Sequence, residues 1–374
     1  MNEMNFDEFK QAIVDNIKDY LPAKFEESDV EVRQVLKNND TVLDGLTIQD
    51  PDTNVAPTIY MNQFFEEYQN GRDLNDIIGD IADVYIANTV DKQMDVSIVT
   101  DFEKAKGNIL PRLVNAEENQ ELLAQRPHMI MDDLAVTYHL EMGKSDNGNM
   151  SVAITNTILD MYGISQEELH DLAVANLEEK MPATFQGMSE VVKEMMLPQI
   201  MSDLGLSKEA ALDYIEQMIP DGNEQMYVLS NDSKLNGAAA VLNEKAMEDI
   251  AEKVGGDFFI LPSSIHELLV VPKQDGMELS DLEAMVQEVN ATQVAPEEKL
   301  SDHVYEYDAK EKELYRADKA AEHEQKVEQK HAKEKGAEKE KVSIKDKLSQ
   351  NKEKAAEINK SHEKNHEKKK EVML

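Results

Sequence analysis

The 374-residue sequence predicts an α+β fold: small mixed or antiparallel sheets covered by helices, followed by a charged C-terminal tail that is helical or disordered. Three observations carry this expectation. The stretch Met226–Pro272 reads β-(β)-α-β-β, one helix laid across a small sheet. The first ninety residues read α-β-β-β-α-α. From Ala309 the composition turns to Lys, Glu, Ala, Gln, Asn and His, and no apolar stripe persists over several turns. The expected parts are an N-terminal α+β region (1–160), a helical segment with the β-(β)-α-β-β region (161–308) and a Lys/Glu-rich tail (309–374).

Each element has a local reason. Asn5 and Glu8 stand in capping-box position, and Phe6, Phe9, Ile13, Ile17 and Tyr20 follow a helical stripe until Pro22. Val30–Leu36 and Val42–Ile48 flank Lys37-Asn38-Asn39-Asp40, a hairpin signature. Pro57 places the strand at 55–61 on an edge or at a strand start. Helices are expected at 63–69 and 74–89, a strand at 109–114 and a helix at 117–124. Extended segments follow at 128–131, 134–142 and 150–154, with 143–149 as a hairpin tip. Its Asp146–Asn149 run lacks the ligand spacing of a calcium loop.

Ser165 and Glu168 form a second capping box, with Ile164 and Leu169 as a hydrophobic staple. Leu169, Leu172, Ala173 and Leu177 give that helix its inner face and leave His170 in solvent. The pattern breaks at Pro182 and 184–187. Helices follow at 191–201 and, capped by Ser207, at 208–219. Met226–Leu229 is a strand, and Gly237–Leu242 is either a second short strand or a helix entry. Asn243 caps the next helix and Gly255-Gly256 stops it. Phe258–Leu261 and Leu268–Val271 are apolar on both faces and need cover. Ser280 and Glu283 suggest a third capping box, and Val304–Tyr307 a last strand.

Charge is the strongest compositional signal. The chain has 39 basic and 76 acidic residues, a net of −37; 19 and 15 of these follow Asp308, so residues 1–308 carry 20 and 61, a net of −41. A body this acidic repels nucleic acid and anionic lipid and suits a basic protein partner. Direct nucleic-acid binding by the body is not expected, and neither is a membrane: no apolar run approaches the ~18 residues of a span. There is no cysteine, hence no disulfide, thiolate zinc site or thiol nucleophile, which fits a reducing cytoplasm. The acidic N-terminus has no apolar signal region. The 20 methionines suit core filling and, less often, adaptable surfaces.

No phosphate loop, H-E-x-x-H, G-x-S-x-G or C-x-x-C is present, so no cofactor or metal is expected. In the tail only His362 and His366 have metal-ligand spacing, in a solvated run. The most enzyme-like spot is the loop Ser263-Ser264-Ile265-His266-Glu267, where hydroxyl, imidazole and carboxylate lie within four residues. Its catalytic candidates are Ser264 (or Ser263), His266 and Glu267, with a third partner such as Asp302 or His303 from elsewhere. Triads are built by spatial convergence, so the plainer reading is a hairpin loop whose Ser and Glu satisfy backbone donors.

The phrases PTIYMNQFFEEYQNG (57–71), GISQEELHDLAVANL (163–177), ILPSSIHELLVVP (260–272) and VNATQVAPEEKLSDHVYEYD (289–308) resemble a bacterial (Firmicutes) family, domain of unknown function 5688. Members of that group often lie in mobile elements. The resemblance implies a cytoplasmic accessory protein and transfers no catalytic residue. Residues 163–177 and 226–272 are also distantly similar to a second, bacillus-type family of unknown function. The leading expectation is a non-enzymatic protein-interaction or regulatory module with a strongly acidic surface. The alternatives are a hydrolase-like enzyme at the 263–267 loop and, more weakly, a DNA mimic.

Overall fold

The first helix begins as its cap predicts. The Asn5 side chain accepts the Glu8 N–H at 3.0 Å, and the Glu8 carboxylate accepts the Asn5 N–H at 2.9 Å. The computed structural model describes residues 4–89, 93–145, 148–220, 224–333 and 352. Helix α1 (Phe6–Asn16) buries Phe9 and Ile13. Strands β1 (Asp29–Leu36) and β2 (Val42–Gln49) pair antiparallel, with Leu36 opposite Val42. Asn39 and Asp40 turn the hairpin with φ of 57° and 45°, left-handed values that Asn and Asp tolerate. Strand β3 (Thr58–Tyr60) follows Pro57 onto the edge beside β2, as expected, but is shorter than the predicted 55–61. Helices α2 (Asn62–Gln69) and α3 (Leu74–Asn88) complete a core with Leu46, Ile48, Ile77 and Ile81.

Short helices α4 (Ser97–Thr100) and α5 (Phe102–Ala105) lead to a second sheet. Strands β4 (Ile109–Asn115), β5 (Met129–Met131), β6 (Leu134–Ser145) and β7 (Gly148–Ala153) are all paired antiparallel on β6. Helix α6 (Gln120–Ala124) starts later than predicted. The Asn115 side chain accepts the N–H groups of Glu117 and Glu118 at 2.9 Å and holds them in a turn instead. Asp146 and Asn147 lie outside the described residues. After α7 (Asn156–Tyr162), the Ser165–Glu168 capping box opens α8 (Gln166–Lys180), which lays Leu169, Ala173 and Leu177 against the core beside β4. His170 is not in solvent as expected. It is half-buried, its Nδ1 3.0 Å from the hydroxyl of buried Tyr138.

The third sheet has the order β13-β12-β10-β11-β9-β8, antiparallel throughout. Its strands are β8 (Ala183–Gly187), β9 (Tyr227–Asn231), β10 (Phe258–Leu261), β11 (Leu268–Pro272), β12 (Tyr305–Asp308) and β13 (Glu313–Arg316). Strand β8 falls where a break was expected, and β13 falls in the composition of the tail. Between β8 and β9 stand α9 (Met188–Leu204) and α10 (Lys208–Met218). Residues Gly237–Leu242 form a largely buried 3₁₀ helix that runs into the Asn243 cap of the next helix, the helix-entry alternative rather than the strand. Helix α11 (Glu244–Val254) is capped by Asn243 and stopped by Gly255 at φ 90°. Helix α12 (Leu279–Thr292) lacks the expected Ser280 cap: Ser280 is already inside it, and Glu278 holds the cap position without a side-chain bond. Val136, Tyr138 and Leu140 of the second sheet share one buried cluster with Leu229, Ile260 and Val270 of the third.

Residues 296–302 tie these layers together. Leu300 and Ser301 donate backbone N–H groups to the carbonyls of Ser263 and Pro262. The Asn115 side chain donates to the Leu300 carbonyl, and that of Asn39 to the carbonyls of Pro296 and Lys299. Beneath them the buried Asp133 carboxylate accepts from Ser301 Oγ at 2.6 Å and Tyr305 Oη at 2.7 Å, with Arg316 Nη1 at 3.8 Å.

Contacts divide the chain into Met1–Asp318 and Lys319–Leu374. Of the second unit, residues 320–333 are helical, and His362 and His366 lie outside the described residues. Among the described residues no helix is long and apolar enough to cross a membrane.

Two substitutions test this packing. A Cβ at Gly237 would run into Ser230 and the His266 carbonyl, so Gly237→Ala should cost about 1–3 kcal/mol in urea unfolding, whereas Gly107→Ala, with open space at its Cβ, should stay close to the unaltered protein. Asp133→Ala removes the acceptor of Ser301 and Tyr305, although Tyr305 keeps the Met131 carbonyl and Arg316 keeps Asp318, and should cost about 1–3 kcal/mol; a midpoint unchanged from the unaltered protein would contradict that role.

Candidate functional site

The loop between β10 and β11 is held by backbone. Ser263 is buried and its carbonyl accepts the Leu300 N–H. Ile265 donates its N–H to the Glu298 carbonyl at 2.9 Å. Ser264 Oγ accepts the backbone N–H of His266 at 3.0 Å. The imidazole of His266 looks elsewhere: Nδ1 accepts the Asn236 N–H at 3.1 Å, and Nε2 lies 3.3 Å from Glu298 Oε1. With Nδ1 serving as acceptor, the proton sits on Nε2 and points at Glu298. Glu267 is exposed. The loop therefore joins Ser264 to His266 through the backbone, and the imidazole to Glu298, a residue that sequence reasoning did not single out.

Asp302 and His303 line a separate small pocket of about 80 Å³, which His266 does not line. Burial works to raise the Asp302 pKa, but hydrogen bonds from Asn290 at 2.8 Å and Lys299 at 2.7 Å outweigh it and hold the carboxyl below its usual range.

His266 faces a larger cleft of about 320 Å³, whose polar lining includes Arg112, Arg126, His139, Asn236 and Glu298. Arg112 and Asn236 also line a neighbouring depression of about 520 Å³. Strand register explains part of this grouping. Arg112 stands opposite Thr137 and His139 opposite Leu110, so Arg112, His139 and Glu141 project from one face of the β4–β6 pair. Ser151 of β7 stands opposite Glu141. Arg112 Nη2 donates to Glu141 Oε1 at 3.1 Å and to Ser151 Oγ at 2.7 Å. Arg126, just beyond α6, places Nη1 3.5 Å from His139 Nε2. Burial, then Arg112 and Arg126, push the His139 pKa well below the ordinary imidazole value. The sequence held no signal for this group: Arg112, Arg126 and His139 are separated by 13 to 27 residues and match no ligand spacing. Among the described residues no cluster of three His, Asp or Glu is placed to hold a metal ion.

The second unusual surface is the α9–α10 helix pair. Helix α9 is 17 residues long and buries none of them. Helix α10 buries only Ala211 and Ile215. Met195 is 73% exposed, Met218 53% and Leu204 50%.

A family model described as "Family of unknown function (DUF5688)" matches residues 6–309. No curated protein and no solved structure matches the chain.

The depressed His139 pKa has a signed consequence. The unfolded chain binds the imidazole proton more readily than the folded one, so this residue's contribution is complete above the unfolded pKa, near 6.5, and is lost as pH falls below it. Urea unfolding between neutral pH and pH ~5 should show stability falling by up to about 1.4 kcal/mol per pH unit from this group. His139→Gln should remove that part of the slope. An identical slope in the variant would mean that His139 does not titrate as described.

Proposed function

The chain belongs to the DUF5688 family, whose description carries no activity, and we propose that it works as a non-enzymatic protein-interaction module whose acidic surface receives a basic partner segment. The observation that carries this reading is α9. A helix with Val191, Val192, Met196, Leu197, Ile200 and Met201 along its length has the composition of a buried element, yet these side chains are only half-buried and Met195 and Leu204 beside them are exposed. Methionine makes such a face adaptable to partners of different shape. Six carboxylates stand on the two helices (Glu190, Glu194, Asp203, Glu209, Asp213 and Glu216) against two lysines, Lys193 and Lys208. The complement is an amphipathic segment with apolar side chains on one face and Lys or Arg around it.

The rest of the surface supports the same sign of partner. Among the described residues only Asp44, Asp50, Asp133 and Glu306 are buried carboxylates, so nearly all of the negative charge lies where a partner meets it. The setting we infer is the bacterial cytoplasm, in an accessory role within a mobile element. The hydrolase-like alternative draws its support from the cleft at His266. Against it stands Ser264, whose hydroxyl engages backbone and leaves the imidazole to Asn236 and Glu298.

The test is fluorescence anisotropy with the full chain and a labelled peptide bearing leucines at helical spacing and lysines elsewhere. Binding should weaken severalfold from low to moderate salt. It should weaken about tenfold or more in a Met195→Ser, Leu204→Ser double variant whose thermal unfolding is unchanged. Equal binding of a glutamate-for-lysine version of the peptide, or full binding by the double variant, would end this reading.

A further inference from the structure

Arg126 is a half-buried cation without a counter-charge among the described residues. Among the described residues no carboxylate comes within ion-pair distance of it, and its side-chain neighbour is the imidazole of His139 at 3.5 Å, too long for a strong bond. This occurs in a chain with nearly two acids for every base. A guanidinium withdrawn from water needs an anion, and a protein so rich in carboxylates has left this one unpaired. Arg112 adds a second guanidinium to the same cleft. Its own partners, Glu141 and Ser151, also line the adjoining depression, so its pairing draws it to one side of the cleft. We propose that the cleft formed by Arg112, Arg126 and His139 is a binding site for a small phosphate-class dianion, with Arg126 as its anchor.

The other charged groups of the cleft leave room for this. Lys37 is engaged by the hydroxyl and ring of Tyr60. Glu298 is engaged by His266, and Glu297 is the remaining acid of the lining. The electrostatics of the cleft's own residues also favour an anion. Burial first, and Arg112 second, lower the pKa of Arg126, and both arginines disfavour the protonated form of His139. A dianion between them would reverse each of these effects.

Guanidinium groups match tetrahedral oxyanions in shape, offering paired N–H donors to two oxygens. His139, whose protonation burial and the two arginines disfavour, would gain a proton as the dianion binds and donate it as a further hydrogen bond. Asn236 lines the same space and adds amide donors. A volume of about 320 Å³ lies at the small end of ligand pockets and suits a small phosphorylated molecule or free phosphate. A nucleic-acid backbone is a poor candidate, because the chain as a whole carries a net charge of −37.

The experiment is a titration of the full chain with inorganic phosphate, followed by calorimetry and by the imidazole resonances of His139, with sodium chloride at matched ionic strength as the control. We expect saturable binding at one site, a rise in the apparent His139 pKa, and no such change with chloride. Arg126→Gln should weaken phosphate binding about tenfold or more. Arg33→Gln, on an exposed residue paired with Glu31 in the first sheet, should bind as the unaltered chain does. Should Arg126→Gln fail to fold, Arg126→Lys keeps the charge without the fork and should still bind measurably weaker. Glycerol phosphate binding more tightly than inorganic phosphate would assign the site to an organic phosphomonoester, and equal binding to the free oxyanion. Absence of saturation, an equal response to chloride, or unchanged affinity in a folded Arg126 variant would overturn the proposal.

Discussion

A single buried carboxylate sets the terms for much of this fold. Asp133 is 3% exposed, and a charge at that depth is tolerable only with a full set of partners. Those partners, Ser301, Tyr305 and Arg316, come from 168 to 183 residues further along the chain. The β5–β6 turn of the second sheet is therefore buried against groups that residues 301–316 supply. The same stretch of chain carries Leu300, fully buried, and the carbonyls that Asn39 and Asn115 require. The N-terminal hairpin, the second sheet and the third sheet are thus fastened at one segment of seven residues, 296–302, that has no regular structure of its own. Cooperative unfolding of residues from all three sheets follows from this arrangement.

Local rules were legible, and partnerships across the chain were not. Asn5–Glu8 and Ser165–Glu168 were readable because a capping box is decided within four residues. The β1–β2 hairpin and the β-α-β-β unit were readable because their apolar runs are bounded by turn residues. Ser280–Glu283 shows the limit of the same rule: the pattern is present, but the helix begins one residue earlier, at Leu279, so Ser280 is in the first turn. Strands β8 and β13 escaped notice for a different reason. Ala183–Gly187 and Glu313–Arg316 have little apolar character and are strands because β9 and β12 offer open hydrogen-bonding edges. His170 was misplaced because the helical stripe predicts what faces the core, not which buried hydroxyl reaches outward to meet an exposed flank.

The site residues divide along the same line. The 262–267 loop attracted attention because its residue types are adjacent, and adjacency is what the chain can display. The arginine and histidine cleft is assembled from a strand, the end of a short helix and a neighbouring strand, so that nothing in the order of residues announces it. Its character comes from sign as much as from shape. In a chain with nearly two acids for every base, this recess gathers Arg112, Arg126 and His139 beside Glu297 and Glu298. The two readings proposed above differ accordingly: a large cationic partner for the acidic exterior and a small anion for the recess.

The methionines of α9 have a chemical consequence of their own. With no cysteine in the chain, oxidants that reach this protein find methionine as the only sulfur. Met195, at 73% exposure, presents its thioether to bulk water, and Met218 on the adjoining helix is over half exposed. Conversion to the sulfoxide would place a polar S=O group, chiral at sulfur, on an exposed apolar side chain without touching a core, a backbone hydrogen bond or an ion pair. Peroxide would therefore change the stickiness of the helix pair while leaving the fold intact, and a sulfoxide reductase would restore it.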